Sequence, residues 1–313
     1  MSALPWMIMA AGSLAADYTN PIPQPCTAQP THHARIQFEN DSAVTTDEKY
    51  THGTRLDYMQ RTAKGMGIGC SLMQNIYTPE CHSRHANIGE HPYAGMMVLG
   101  GIVQAEGESV GLTTELQLGV MGEHSYAKEN QNNLHSACNM ETWEGWHDQV
   151  PSEAVAQSST RIDFNVPVGS PYADGLVYLR EELGNLRIAS GVGTAFRVGK
   201  NLPQSNQVVG SRAGNAASGA LTRESYDPTA PSYYLLAQAE LDYVARDFSV
   251  DGGMFHHFDK TCSRTPWQGQ LTLGLGVAHK GIDYFAGFVF NTKTYRTEDK
   301  EHMYGTFSVQ WNW

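Results

Sequence analysis

From about residue 34 the chain repeats one theme: roughly ten residues of alternating apolar and polar side chains, then a break rich in Gly, Asn, Asp or Pro. In 267–279, Trp267, Leu271, Leu273, Leu275 and Val277 share one parity, and Gln268, Gln270 and Thr272 share the other. In 110–120, Val110, Leu112, Leu116, Leu118 and Val120 alternate with Thr113, Glu115 and Gln117. In 233–243, Tyr233, Leu235, Leu241 and Tyr243 alternate with Gln238, Glu240 and Asp242. A period of two is the signature of a strand with one apolar and one polar face. The pattern predicts twelve strands, at about 34–41, 52–61, 69–77, 94–106, 110–121, 158–168, 175–183, 185–199, 232–246, 267–279, 282–296 and 302–313. An even number returns both termini to one side, so odd strands run outward and even strands inward. The long connections 42–51, 79–93, 122–157 and 247–266 then share one end of the sheet, and the 200–231 connection falls at the other.

A soluble sandwich also alternates, but its polar residues face water on the outside. Here the polar face carries Glu, Asp, Arg, Gln and many glycines, as a crowded barrel interior requires, and the strands are long enough to cross a bilayer at a tilt. In the last segment Met303, Phe307, Val309, Trp311 and Trp313 share one parity. A final strand ending on an aromatic residue resembles the assembly signal of bacterial outer-membrane barrels. Mean hydropathy is −0.40, and no stretch approaches the ~18 apolar residues of a spanning helix. The predicted class is therefore all-β, a twelve-stranded antiparallel transmembrane barrel over 34–313 in the bacterial outer membrane. Residues 1–16 read as a secretory signal without its basic start, and 17–33 as a periplasmic segment. A net charge of −11 argues against a nucleic-acid partner, and no obligate protein partner is expected.

Within 122–157, Ala127, Gln131, Leu134, His135 and Cys138 fall on one helical face, which predicts a short extracellular helix over 126–138. Five cysteines (Cys26, Cys70, Cys81, Cys138 and Cys262) show no metal-binding spacing, and an odd count leaves at least one unpaired within the chain. Cys81 and Cys138 lie in neighbouring outer connections, where disulfides persist, and are expected to pair. Gly107-Glu-Ser109-Val-Gly111 matches the nucleophile-elbow pattern but sits in a tight strand-to-strand turn with no helix after it, so it reads as a hairpin. His82 and His85, three apart in a loop that also holds His91, lack a third ligand at zinc spacing, and the adjacent His256 and His257 would point to opposite faces of a strand.

The chemistry gathers elsewhere, in Glu39-Asn40-Asp41, Lys49-Tyr-Thr51-His-Gly53, Ile76-Tyr-Thr-Pro79 with Arg84, His91-Pro-Tyr-Ala-Gly95, Gln131-xxx-His135 and Trp146-His-Asp-Gln149. Taken in order, these segments resemble the outer-membrane lipid A 3′-O-deacylases, calcium-dependent barrels that remove the acyl chains ester-linked at the 3′ position of lipid A. The resemblance implies that Asn40 and Asp41 are the rim pair that holds Ca²⁺, that His135 is catalytic and that Glu141 serves it. It implies that Thr51, Gln131, Trp146 and Arg84 contact substrate. Arg84 stands where some members carry lysine; arginine keeps the charge but transfers no proton, so it is expected to bind a phosphate.

The expected reaction is ester hydrolysis of lipopolysaccharide in the outer leaflet. His135 would act as general base on water, Glu141 would orient the imidazole, and Ca²⁺ on Asp41 and Asn40 would act as a Lewis acid. Asn40 shares parity with Ile36 and Phe38, the lipid-facing side, where a polar residue is costly unless it meets a polar substrate. A site on the outer wall beneath the helix would admit a bilayer lipid sideways. Two other readings remain: an outer-membrane phospholipase using a serine nucleophile, and a non-enzymatic barrel or pore.

Overall fold

A computed structural model of the chain describes residues 32–44, 48–61, 66–80, 89–106, 109–203, 227 and 229–313. The expected signal and nearly all of the periplasmic segment lie outside them. The twelve strands are β1 (His32–Asn40), β2 (Lys49–Arg61), β3 (Met66–Thr78), β4 (Ala94–Glu106), β5 (Val110–Met121), β6 (Glu153–Val166), β7 (Ala173–Gly184), β8 (Arg187–Lys200), β9 (Ser232–Asp247), β10 (Trp267–His279), β11 (Ile282–Asn291) and β12 (His302–Asn312). Each pairs antiparallel with its sequence neighbours, and β1 pairs with β12 from His33↔Asn312 to Asn40↔Gly305, closing the barrel. No described helix is long and apolar enough to cross a membrane; the strands do so, with Leu116 and Leu118 on the outer face 62% and 68% exposed. The end carrying the connections after β1, β3, β5, β9 and β11 is the extracellular one by the general rule for such barrels.

The interior is filled with ion pairs. Arg55 reaches Asp57 at 2.7 Å and Glu115 at 2.9 Å, and Arg35 reaches Asp57 at 2.6 Å. On the opposite wall Arg180 binds Glu240 at 2.8 Å and Arg187 binds Asp242 at 2.9 Å. Towards the extracellular mouth aromatic rings join the filling, with Tyr50, Tyr77, Phe248 and Tyr304 packed together beside the buried Lys49–Glu298 pair. A lumen packed in this way is a rigid support, which speaks against the pore reading.

Two boundaries differ from the sequence reading for physical reasons. β6 begins at Glu153, not near 158, because Ala154 and Ala156 face outward while Val155 is buried inside, which inverts the usual contrast. β11 ends at Asn291, not near 296, because the chain then folds inward: Tyr295 is buried and donates its hydroxyl hydrogen bond to Glu80 at 3.0 Å. The long connection between β8 and β9 does fall at the terminus end, with residues 204–226 outside the described set.

Arg55→Met leaves the buried Glu115 carboxylate without its cation and Asp57 with Arg35 alone. Breaking a buried pair of this kind costs about 3–5 kcal/mol, so the temperature at which the folded band converts on gels should fall clearly. An unchanged temperature contradicts the role given to these pairs.

Candidate active site on the outer wall

One helix, α1 (Ala127–Ala137), lies against the outside of β3 and β4 at the extracellular rim. Its approach depends on Gly95, where a Cβ would come within 2.3 Å of the Ala127 methyl. Ile76, Tyr93, Ala127, Trp143 and Trp146 form the apolar cluster that pins it, with Tyr93 and Trp146 rings 5.0 Å apart. Polar ties complete the clamp: Gln74 donates to the Ser125 carbonyl at 2.6 Å and accepts from Asn130 at 2.7 Å. The predicted face is corrected in part. Ala127, Gln131 and His135 are buried, whereas Leu134 and Cys138 are exposed and line an open groove.

That groove, of about 780 Å³, runs between α1 and the outer ends of β1, β2 and β3. Its polar lining includes Asn40, Thr51, Gln131 and His135, four residues singled out from sequence. Its lower lining is Phe38, Leu56 and Leu72, the lipid-facing apolar wall. Asn40 turns its amide by accepting the Ser42 N–H on Oδ1 at 2.8 Å, which leaves the Nδ2 end as the donor. Thr51 reaches this face through a β-bulge: the β2–β3 register shifts between Tyr50 and His52, and the Thr51 hydroxyl hydrogen-bonds that of Thr78 at 2.6 Å.

His135 stands edge-on to Trp143, with ring centroids 5.5 Å apart. Its Nδ1 lies 2.7 Å from the Glu141 carbonyl oxygen. A carbonyl only accepts, so Nδ1 carries the hydrogen and the lone pair of the neutral ring is on Nε2.

Three expectations change. Glu141 serves His135 through its backbone carbonyl, while its own side chain is exposed. Trp146 is not a substrate contact; it is fully buried and donates Nε1–H to Gln131 Oε1 at 3.0 Å, fixing that amide beneath the groove. Asp41 is sealed in the wall and does not line the groove; it opens a 3-10 turn (Asp41–Val44) and accepts the Glu48 N–H on Oδ2 at 2.7 Å. Asn40 and Asp41 together therefore do not fit a calcium ion. The described groove lining offers neutral oxygens and no carboxylate, whereas Ca²⁺ takes six to eight oxygens, usually with carboxylates among them. Among the described residues no group of three or more His, Cys, Asp or Glu is placed to hold a metal.

Arg84, His82, His85 and Cys81 lie outside the described residues, and with Cys81 the expected disulfide; Cys138 is a free thiol. His91 is buried against Tyr77, donates Nδ1–H to the Pro92 carbonyl, and has its pKa pushed down by burial. It is a packing residue. Ser109 is exposed in the β4–β5 turn at the terminus end, far along the strands from the groove. Sequence reasoning missed His52 and Gln74, which also line the groove. Both carried the signal used for Asn40, a polar side chain on the lipid-facing parity near the rim; His52 is the register partner of Asn40.

The chain matches, over residues 3–313, the family model described as outer membrane protein LpxR. Among solved structures it is similar to LpxR from Salmonella typhimurium, at TM-score 0.77 and 17% identity, covering 90% of this chain and 100% of that one. It also matches the β-domain of the Bordetella autotransporter BrkA, at TM-score 0.45 and 10% identity, over 91% and 99% of the two chains. No curated protein sequence matches. With the family model spanning almost the whole chain and a twelve-stranded barrel of the same fold, the chain belongs to the LpxR family of outer-membrane proteins.

Proposed function

We propose that this protein hydrolyses an acyl ester of lipid A, the 3′-linked one, from the outer leaflet. The observation that carries the proposal is the position of the groove: polar residues and an imidazole stand at the rim, directly above an apolar wall that faces lipid. A substrate that keeps its chains in the bilayer can present its ester there without leaving it. A soluble substrate would need no such wall.

In the proposed reaction His135 Nε2 takes a proton from water, and the resulting hydroxide attacks the ester carbonyl. The Asn40 Nδ2–H group is the proposed donor to the oxyanion. Collapse of the tetrahedral intermediate expels the sugar oxygen, which takes the proton from His135 Nε2. Nδ1 stays protonated on the Glu141 carbonyl throughout, so the ring needs no reorientation. Thr51 and Gln131 position the polar head, and Arg84 is proposed for a phosphate. A calcium ion enters only through the family resemblance, and no step is routed through it.

Three outcomes test this reading. His135→Ala should keep a heat-modifiable barrel yet lower fatty-acid release from purified lipid A by roughly 10² or more, the usual worth of a general base. Release at the wild-type rate would remove His135 from the mechanism. Trp146→Phe keeps most of the packing but frees the Gln131 amide, and should lower kcat/KM by roughly tenfold, as loss of a net hydrogen bond to a buried group implies. An unaltered kcat/KM would reduce Trp146 to packing alone. Chelation with EDTA should stop acyl release and added Ca²⁺ should restore it; full activity under verified chelation contradicts the calcium proposal.

A further inference from the structure

A second groove, of about 600 Å³, opens on the same outer wall on the other side of β1. It crosses β12, β11 and β10 at the height of Asn40, and its lining is almost wholly carbon. The register shows how it forms. Gly305 lies between Asn40 of β1 and Phe288 of β11, and Ala286 lies between Phe307 of β12 and Leu275 of β10. A small outward residue between large ones on each row leaves a depression in a wall that is otherwise studded with Leu and Phe. Gly305 also makes room for a roof. A Cβ there would meet the Ala43 methyl at 2.7 Å, so only glycine lets the Asp41–Val44 turn lie down on β12 and cover the depression.

The two grooves share Phe38 and Asn40 and are separated only by β1. An ester held at Asn40 therefore has an apolar trough on each side of it. Flanking strands lie about 4.8 Å apart, so the second trough begins within one strand spacing of the proposed oxyanion donor. A single-chain ester needs only the groove under α1. A lipid with several chains on one head has to place the others, and the trough is the hydrocarbon-lined space at the right height.

We infer that the trough lined by Gly305, Ala286, Phe288 and Phe307 is a subsite for a second acyl chain of the same substrate lipid, which straddles β1 with its head over Asn40. This rests on the proposed function and adds the requirement for a multi-chain substrate. The ridge at Phe38 then acts as the divider that sorts chains to either side.

Ala286→Trp tests it, because residue 286 faces lipid in the middle of the trough and is remote from α1. Two measurements keep the inference apart from the reaction itself. With purified barrel in detergent micelles, Ala286→Trp should raise KM for multi-acyl lipid A by roughly tenfold, with kcat and the hydrolysis of a single-chain p-nitrophenyl ester unchanged. In the His135→Ala background, chosen to slow turnover, Ala286→Trp should weaken binding of intact lipid A by a similar factor. Equal lipid A binding with and without Ala286→Trp overturns the subsite, even if the protein proves to hydrolyse nothing. Parallel loss on both the multi-chain and the single-chain substrate also overturns it, since the change would then act on the shared chemistry.

Discussion

Closure of β1 on β12 is the constraint on which the rest depends. In hydrocarbon a sheet cannot leave an edge of unpaired N–H and C=O groups, so the first strand must find the last. The seam runs to Asn40↔Gly305, the last pair before the chain turns at Asp41. Asn40 is therefore held in register on both flanks, opposite His52 on one side and Gly305 on the other. A site residue on a loop would lack that support. The same closure places the outward faces of β1, β2 and β3 as one continuous wall, against which a short helix can form a groove.

The interior and the exterior divide the work. Inside, Arg55 ties β2 to β5 behind the groove, and Arg180 and Arg187 tie β7, β8 and β9 together on the opposite wall. Outside, α1 has only Ala127, Gln131 and His135 to bury, too small a face to hold a helix of eleven residues by itself. It is kept in place by the tilted Tyr93–Trp146 ring contact, the close approach at Gly95 and the Gln74 ties. The imidazole proposed as the base is thus fixed by packing that comes from β3, β4 and the 143–150 segment, with its tautomer set by a backbone carbonyl six residues away.

The barrel, its strand count and its direction were legible because alternation is read residue by residue and needs no tertiary knowledge. Where the contrast inverts, as at Ala154, Val155 and Ala156, the strand was cut short. The groove was legible at Asn40, since an amide on the lipid-facing parity is conspicuous, and the same rule applied to His52 and Gln74 finds both. Thr51 could not be placed by parity, because the bulge beside it resets the count. Asp41, Glu141 and Trp146 show the limit of motif matching. Each is where the motif says, near the rim, but whether a side chain faces substrate, packs inward or lends only its carbonyl is decided by contacts with partners such as Glu48, His135 and Gln131. Gly95 and Tyr93 were part of a conspicuous segment whose purpose, seating the helix, shows only when α1 is seen against it.

On the proposed function, this barrel removes ester-linked acyl chains from lipid A while the lipid stays in the membrane. This is tested most directly by mass spectrometry of lipid A extracted from cells of a lipid A-producing host that do or do not express the protein. Expressing cells should contain lipid A lighter by the mass of its 3′-linked acyl group or groups, with sugars and phosphates intact and phospholipids unchanged. Lipid A of unaltered mass in cells whose outer membranes contain the folded barrel, or accumulation of lysophospholipid in its place, would contradict it.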